Sequence, residues 1–393
     1  MKIIQWSIEK INKWVAIPLA KKFFKFLNVD CSKIVVDNFG GRGYGDNPKY
    51  IVDALISDKS LNLDIVWLVN DINTSVPKGV RKVKYNSVQS IYEYSTAKIW
   101  IDNIKNSVKP RKKREQFYLQ TWHGGIGLKS VEKQIENELD PHYVKKAKFD
   151  ASQTDLMLSD SEWTTEIFHN WFWYNGKISK VGFPRNDVLV KRPKEIIKKV
   201  YDHFSLDYKK KIVLYAPTFR TNNNIAPYTF DYKKITELLH TKFGKEYVFL
   251  LRLHPNVQIS SDSQIAKSID DVRIFNANSY SDVQELLLSA DVIITDFSSL
   301  MFDAMIAEKK VLLYASDFND YISTQRKLLF DLEQLPFPFS KSIDELHQTI
   351  KDLDINRYFA RLDEFRKELG LIESGNAALK VKAILLNQLR KDD

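Results

Sequence analysis

The sequence predicts an α/β protein of two doubly wound domains, each a parallel sheet with helices on both faces. Three observations predict it. Short β-branched runs alternate with amphipathic helical stretches almost from end to end. The strand runs are apolar nearly throughout, the pattern of strands buried on both faces and not of half-solvated ones. And 393 residues are too many for one ordinary core.

In the first half the expected strands are "SKIVVDNF", "DIVWLV", "AKIWID", "FYLQTW", "LMLSDS" and "ISKVGF". Helical patterns lie between them at "NPKYIVDALIS", "DPHYVKKAKFDA" and "SEWTTEIFHNWFWY". In the second half the strands are "KIVLYAP", "YVFLLRLHP", "VRIFNA", "DVIITDF" and "KKVLLYA", most of them followed by a helix. The boundary falls after "VGFPRND", where "KRPKEIIKKVYDHF" begins a fresh basic, polar helix. The expected domains are therefore 29–187 and 188–393, the second ending in C-terminal helices. Ser281 and Gln284 in "SDVQ" fit a capping box. The basic cluster "KPRKKREQ" (109–116) reads as a solvated loop.

Residues 1–28 are of another kind. Ile4, Ile8, Ile11 and Val15 follow helical spacing, with Lys2, Lys10 and Lys13 opposite. Six lysines and one acid, Glu9, fall in the first 27 residues, with Trp6 and Trp14 as interfacial anchors. No uninterrupted apolar core or small-residue cleavage site marks a signal peptide, and no run of about 18 apolar residues marks a transmembrane helix. The pattern predicts an amphipathic helix on an anionic membrane surface. Each lysine there adds roughly 1 kcal/mol of attraction. A helix packed on the protein's own surface, broken near Pro18, is the competing reading.

Composition narrows the function. A single cysteine, Cys31, excludes an internal disulfide and a cysteine-rich zinc site. A formal charge of +9, from 59 basic and 50 acidic residues, favours an anionic partner. The basic residues are dispersed and no base-reading module is present, so nucleic acid is not expected.

Open parallel sheets bind ligands at the carboxyl ends of their strands, and reactive residue types gather there. His123 follows "FYLQTW"; Pro217, Thr218 and Arg220 follow "KIVLYA"; Arg252 and His254 end "YVFLLRLHP". Asp296, Ser298 and Ser299 follow "DVIIT" and open the helix "LMFDAMIAE". Any one of these has an ordinary structural explanation, such as a serine cap. Their coincidence does not, since two of only seven histidines stand at strand ends. Imidazoles, arginine forks and a helix start suit transfer of a phosphoryl group from a nucleotide diphosphate. "GGRGYGDNPKY" (40–50) lacks the GxGxxG spacing and reads as a close-approach loop opening the first helix.

These segments, with "GYGDNPKYI", "AKIWIDN", "QTWHG", "VGFPRNDVL", "LYAPTFR", "LRLHP" and "DVIITDFSSLMFD", resemble the CDP-glycerol glycerophosphotransferase family of teichoic acid primases and polymerases over roughly residues 35–340. The resemblance implies two Rossmann-like domains of GT-B type and a protein bound to the cytoplasmic face of the membrane. It implies CDP-glycerol or another CDP-polyol as donor, a hydroxyl on an undecaprenyl-diphosphate-linked acceptor, and release of CMP. It assigns His123 and His254 as the essential histidines, one of them the base, and Gly124, Arg185, Pro217, Thr218, Arg220, Arg252, Ser298, Ser299 and Asp303 as substrate contacts. Arg326 in "STQRKLLFD" joins them. Where the family commonly reads Thr-Pro-Leu-Lys after the WHG motif, this chain has Gly-Ile-Gly-Leu-Lys, one residue longer. No cofactor is implied, and no carboxylate cluster with magnesium-ligand spacing is legible. The competing readings are a ribitol-phosphate transferase, a GT-B glycosyltransferase using a nucleotide sugar, and a non-catalytic binder of an anionic polymer.

Overall fold

The computed structural model describes residues 12–106, 108–220, 226–253, 273–324 and 327–390. It divides into two compact units. Unit 1 comprises Met1–Gly125, Val131–Asp187 and Ile372–Asp393; unit 2 comprises Ile126–Ser130 and Val188–Leu371.

Unit 1 holds seven strands: β1 (Asp30–Val36), β2 (Asp64–Val69), β3 (Val80–Lys84), β4 (Ala97–Asp102), β5 (Phe117–Gln120), β6 (Leu156–Ser159) and β7 (Lys177–Lys180). They lie in the order β3-β2-β1-β4-β5-β6-β7, all parallel. Val35 of β1 pairs with Val66 on one side and Trp100 on the other. All three are fully buried because helices cover both faces. Each such side chain contributes roughly 1.5–3 kcal/mol of burial. β3 is not among the strands read from sequence. Its "VRKVK" carries three cations, yet Val80 and Val83 turn inward, as befits an edge strand that discourages further pairing.

Unit 2 repeats the plan with β8 (Lys211–Tyr215), β9 (Tyr247–Leu251), β10 (Ile274–Asn276), β11 (Val292–Thr295), β12 (Lys310–Tyr314) and β13 (Phe339–Ser340). Their order is β10-β9-β8-β11-β12-β13, again all parallel. In both sheets the strand order reverses beside the first strand: between β1 and β4, and between β8 and β11. Those reversals are the crevices where open α/β sheets take their ligands.

Several expectations need correction. The C-terminal helices expected with the second domain divide. Ile355–Glu368 stays in unit 2, whereas Ala377–Leu389 joins unit 1, its Val381 and Leu385 buried in that core. Asp187 anchors it by accepting hydrogen bonds from the Ala377 and Ala378 amides at 2.8 Å each. The five residues Ile126–Ser130 belong to unit 2, where Leu128 accepts from the Leu329 amide (2.8 Å) and Ser130 donates to the Lys327 carbonyl (2.9 Å). The cap of helix Val283–Ser289 is Asp282, not Ser281: its carboxylate accepts from the Gln284 amide at 3.0 Å.

Residues 1–11, with Ile4, Trp6, Ile8 and Ile11, lie outside the described residues. Pro18 does not break a helix. It stands in the first turn of Ile17–Phe23, where its missing N–H has no bond to lose. Ile17 and Ala20 pack on Ile91, the self-packed reading, while Trp14, Leu19, Phe23 and Phe26 remain exposed. Nor is the 109–116 cluster simply solvated. Lys109 is buried between Asp102 (2.8 Å) and Asp150 (2.7 Å), and Lys113 donates to the carbonyls of Ser95 (2.7 Å) and Leu27.

Candidate active site

In unit 1 the crevice is built around His123. β5 ends at Gln120, and the chain then takes a left-handed step at Trp122 (φ +56°). A second non-glycine residue, Asp46, also sits at positive φ (+54°) as helix Asp46–Ile56 opens. Each such residue costs on the order of 1–3 kcal/mol and persists only where its surroundings hold it. Here they do. The Asn47 side chain donates to the Trp122 carbonyl (3.0 Å) and accepts from the Arg185 amide (3.0 Å). Arg185 Nη1 bridges the Asp46 carboxylate (2.8 Å) and the His123 carbonyl (2.7 Å).

The imidazole is thereby aimed. His123 Nδ1 lies 2.8 Å from the Asn103 carbonyl, just past β4, a contact in which it must act as donor. In the neutral ring Nε2 then carries the lone pair. The ring lies over Trp122, centroids 4.2 Å apart, with Phe39 at 5.3 Å. Burial lowers its pKa below the ordinary imidazole value. Arg185 adds to that effect, while the Asn103 carbonyl, Asp46 and Glu132 oppose it. A neutral, oriented imidazole at the carboxyl edge of a sheet is a proton acceptor at physiological pH.

Beneath it lies a buried polar layer. The Lys109 ammonium donates to Asp102, Asp150 and the Tyr118 hydroxyl. Burial would strip its proton, but the two carboxylates outweigh that and raise its pKa. Burial pushes Asp102 up to about 6, and burial, joined by Asp102's charge, raises Asp37 well above the ordinary carboxylate value as well. The preceding loop approaches closely. Gly41 (φ +83°) donates to Asp37 at 2.7 Å, and a Cβ there would fall 2.7 Å from that of Tyr85.

Unit 2 places Thr218 and Asp296 at its own reversal. The Thr218 amide donates to Asp296 (2.8 Å), while its hydroxyl is buried without a hydrogen-bond partner among the described residues. Arg220 is held by Asp296 (2.8 Å), Asp317 (2.6 Å) and the Thr218 carbonyl (2.6 Å), over the ring of Tyr321. Burial works against its charge and the carboxylates more than restore it. Expected as a substrate contact, Arg220 has its guanidinium engaged by these neighbours.

The sequence of the CDP-glycerol:poly(glycerophosphate) glycerophosphotransferase family matches residues 19–387. The chain belongs to that family. It is 30% identical over 378 residues to the teichoic acid poly(glycerol phosphate) polymerase of Staphylococcus epidermidis, covering 93% of this chain and 52% of that protein. It is 26% identical over 373 residues to the polymerase of the same name from Bacillus spizizenii, covering 90% of this chain and 91% of that one. The chain thus spans about half the length of the first relative and nearly all of the second. Among solved structures, a histidine-to-asparagine form of the wall teichoic acid polymerase TagF soaked with CDPG matches at a TM-score of 0.82 and 29% identity, over 96% of this chain and 93% of that one. The GT-B-like α/β class read from the sequence is that of this family member.

The remaining predicted positions fall as follows. Gly124 lies beside Arg185, where an added Cβ would sit 3.8 Å from Nη2. Pro217 is buried at the end of β8. Arg252 Nη1 donates to the carbonyls of Ala277 (2.9 Å) and Tyr280 (2.6 Å), which pin it past β9. Ser298 accepts from the Leu300 amide at 3.3 Å; Ser299, the residue before helix Leu300–Ile306, is exposed and makes no side-chain cap. Asp303 is buried and accepts from Gln284 at 3.3 Å. His254 and Arg326 lie outside the described residues. Sequence reasoning missed Asp46, Asn47 and Asn103, although all three stand inside "GYGDNPKYI" and "AKIWIDN".

Proposed function

We propose that this chain moves glycerol phosphate from CDP-glycerol to a hydroxyl of a teichoic-acid-type acceptor carried on undecaprenyl diphosphate, with release of CMP. Family membership supports the reaction class. The observation that carries the reading is His123, fixed through Nδ1 so that Nε2 is the acceptor at the carboxyl edge of the first sheet. The acceptor hydroxyl gives its proton to Nε2 as its oxygen bonds to the glycerol-bearing phosphorus. The bridging P–O bond breaks, and CMP leaves with the bridging oxygen. The resemblance gives the contacts that meet charge spreading over the diphosphate to Arg252, Ser298 and Ser299, with His254 and Arg326 in donor roles. Incubating a synthetic lipid-diphosphate acceptor with CDP-glycerol and, separately, CDP-ribitol tests this by mass spectrometry. A glycerol-phosphate increment is expected. An increment only with CDP-ribitol moves the specificity; none with either, alongside sugar transfer from a nucleotide sugar, rejects the reading.

We infer also that the protein works at the cytoplasmic leaflet. Exposed Trp14, Leu19, Phe23 and Phe26 stand among Lys22 and Lys25, an apolar surface rimmed by cations. Replacing Trp14, Phe23 and Phe26 together with Ser should abolish sedimentation with anionic vesicles. Unchanged sedimentation counts against this surface.

A further inference from the structure

We propose that Asp46 is the positioning residue of this site, the carboxylate that sets both the direction and the charge state of the His123 imidazole. The inference rests on the reading of His123 as the base. The Asp46 side chain reaches two of the ring's supports at once. Oδ2 pairs with Arg185 Nη1 at 2.8 Å, and the same nitrogen holds the His123 carbonyl at 2.7 Å. Oδ1 accepts from the Asn103 side-chain amide at 3.2 Å, and the Asn103 carbonyl receives His123 Nδ1 at 2.8 Å. Asn103 is further fixed through Asn38 (2.8 Å) and the Phe39 amide (2.8 Å). Two short chains of bonds therefore run from one carboxylate to the two ends of the same residue.

The chemistry gives Asp46 a second part. Among the described residues, Arg185 opposes protonation of the imidazole, and Asp46 and Glu132 favour it. Glu132 is already matched by Lys105 at 3.0 Å. Asp46 is matched by Arg185 itself, so the two charges offset one another at the ring. Without the carboxylate, the guanidinium stands unopposed beside a group that must accept a proton. A base made too weak transfers the proton less well even when its geometry survives.

Asp46→Asn keeps the shape and removes the charge. In the full-length enzyme the acidic limb of the kcat/KM profile for CMP release should move down by about one pH unit, with turnover at neutral pH falling about tenfold. The His123 imidazole signals, followed by NMR against pH, should shift by the same amount. Arg185→Gln should move the ring the opposite way, and it carries the test if the first variant does not fold. A rate lowered equally at every pH, with the imidazole titration unmoved in both variants, overturns the proposal. His123→Ala with near-normal CMP release would instead reject the base reading, and the NMR titration would still report whether Asp46 governs the ring.

Discussion

The two sheets share a strand order, and the reversal of each shelters a buried cation held by two carboxylates. In unit 1 Lys109 lies between Asp102 and Asp150; in unit 2 Arg220 lies between Asp296 and Asp317. The correspondence extends to position. Asp102 is the last residue of β4 and Asp296 the first after β11, the strands that sit directly across each reversal. What differs is what stands above. Over the lysine cluster comes an oriented imidazole, the proposed proton acceptor. Over the arginine cluster comes a threonine whose hydroxyl has no partner among the described residues, beside an aromatic floor of Phe297 and Tyr321 stacked 3.6 Å apart. On the proposed reading, one architecture would serve two tasks, proton movement and the holding of a polar ligand. The difference lies in a few residues after the strands, not in the sheets.

Substitutions can break this comparison. The largest effect belongs to His123→Ala, which should cut CMP release by roughly 10²–10⁴ while the thermal transition stays in place. Next come the two cations. Lys109→Met strands two buried carboxylates, and Arg220→Met strands one buried and one half-buried; each should cost about 3–5 kcal/mol in urea unfolding. The lysine variant should recover partly at low pH, because protonating Asp102 and Asp37, both raised by burial, relieves the strain. Groups with raised folded pKa values stabilise below their unfolded values and lose that contribution as pH rises through the folded ones; Lys109 itself holds Asp102 down to about 6, so without it the recovery should set in above that pH and grow as pH falls. The smallest effect is expected from Thr218→Val. Removing an unpartnered hydroxyl should leave stability unchanged, yet raise KM for CDP-glycerol about fivefold if that hydroxyl meets the donor. A variant with unaltered KM would reduce Thr218 to a backbone contact through its amide.

Much of this arrangement can be read from the chain alone, and the exceptions are instructive. Strands buried on both faces announce themselves as "KIVV", "DIVWLV" or "KIVLY", because apolar continuity has no other cheap explanation. β3 does not, since an edge strand of Val, Arg and Lys looks like a solvated turn until its neighbour is known. His123 stood out by its place after a strand. Asp46 and Asn103 did not, for a polar residue in a loop acquires its meaning only from partners as far as 139 positions away. Lys109 was hidden differently: among six basic residues in "KPRKKR" and its surroundings nothing local tells which cation turns inward to two aspartates. The cap of helix Val283–Ser289 shows a finer limit, since adjacent Ser281 and Asp282 both fit the rule and the backbone selects the aspartate.

The way the chain is threaded carries a practical consequence. The polypeptide passes between the two units four times, at residues 125/126, 130/131, 187/188 and 371/372. Severing it at the obvious seam after Asp187 would therefore separate neither half cleanly. The leading fragment would forfeit the terminal helix that Asp187 secures, and the trailing one the short ribbon that Leu329 and Lys327 grip. Gene dissection at that seam is expected to yield insoluble halves, whereas a tether rejoining 372–393 to the leading piece should rescue it.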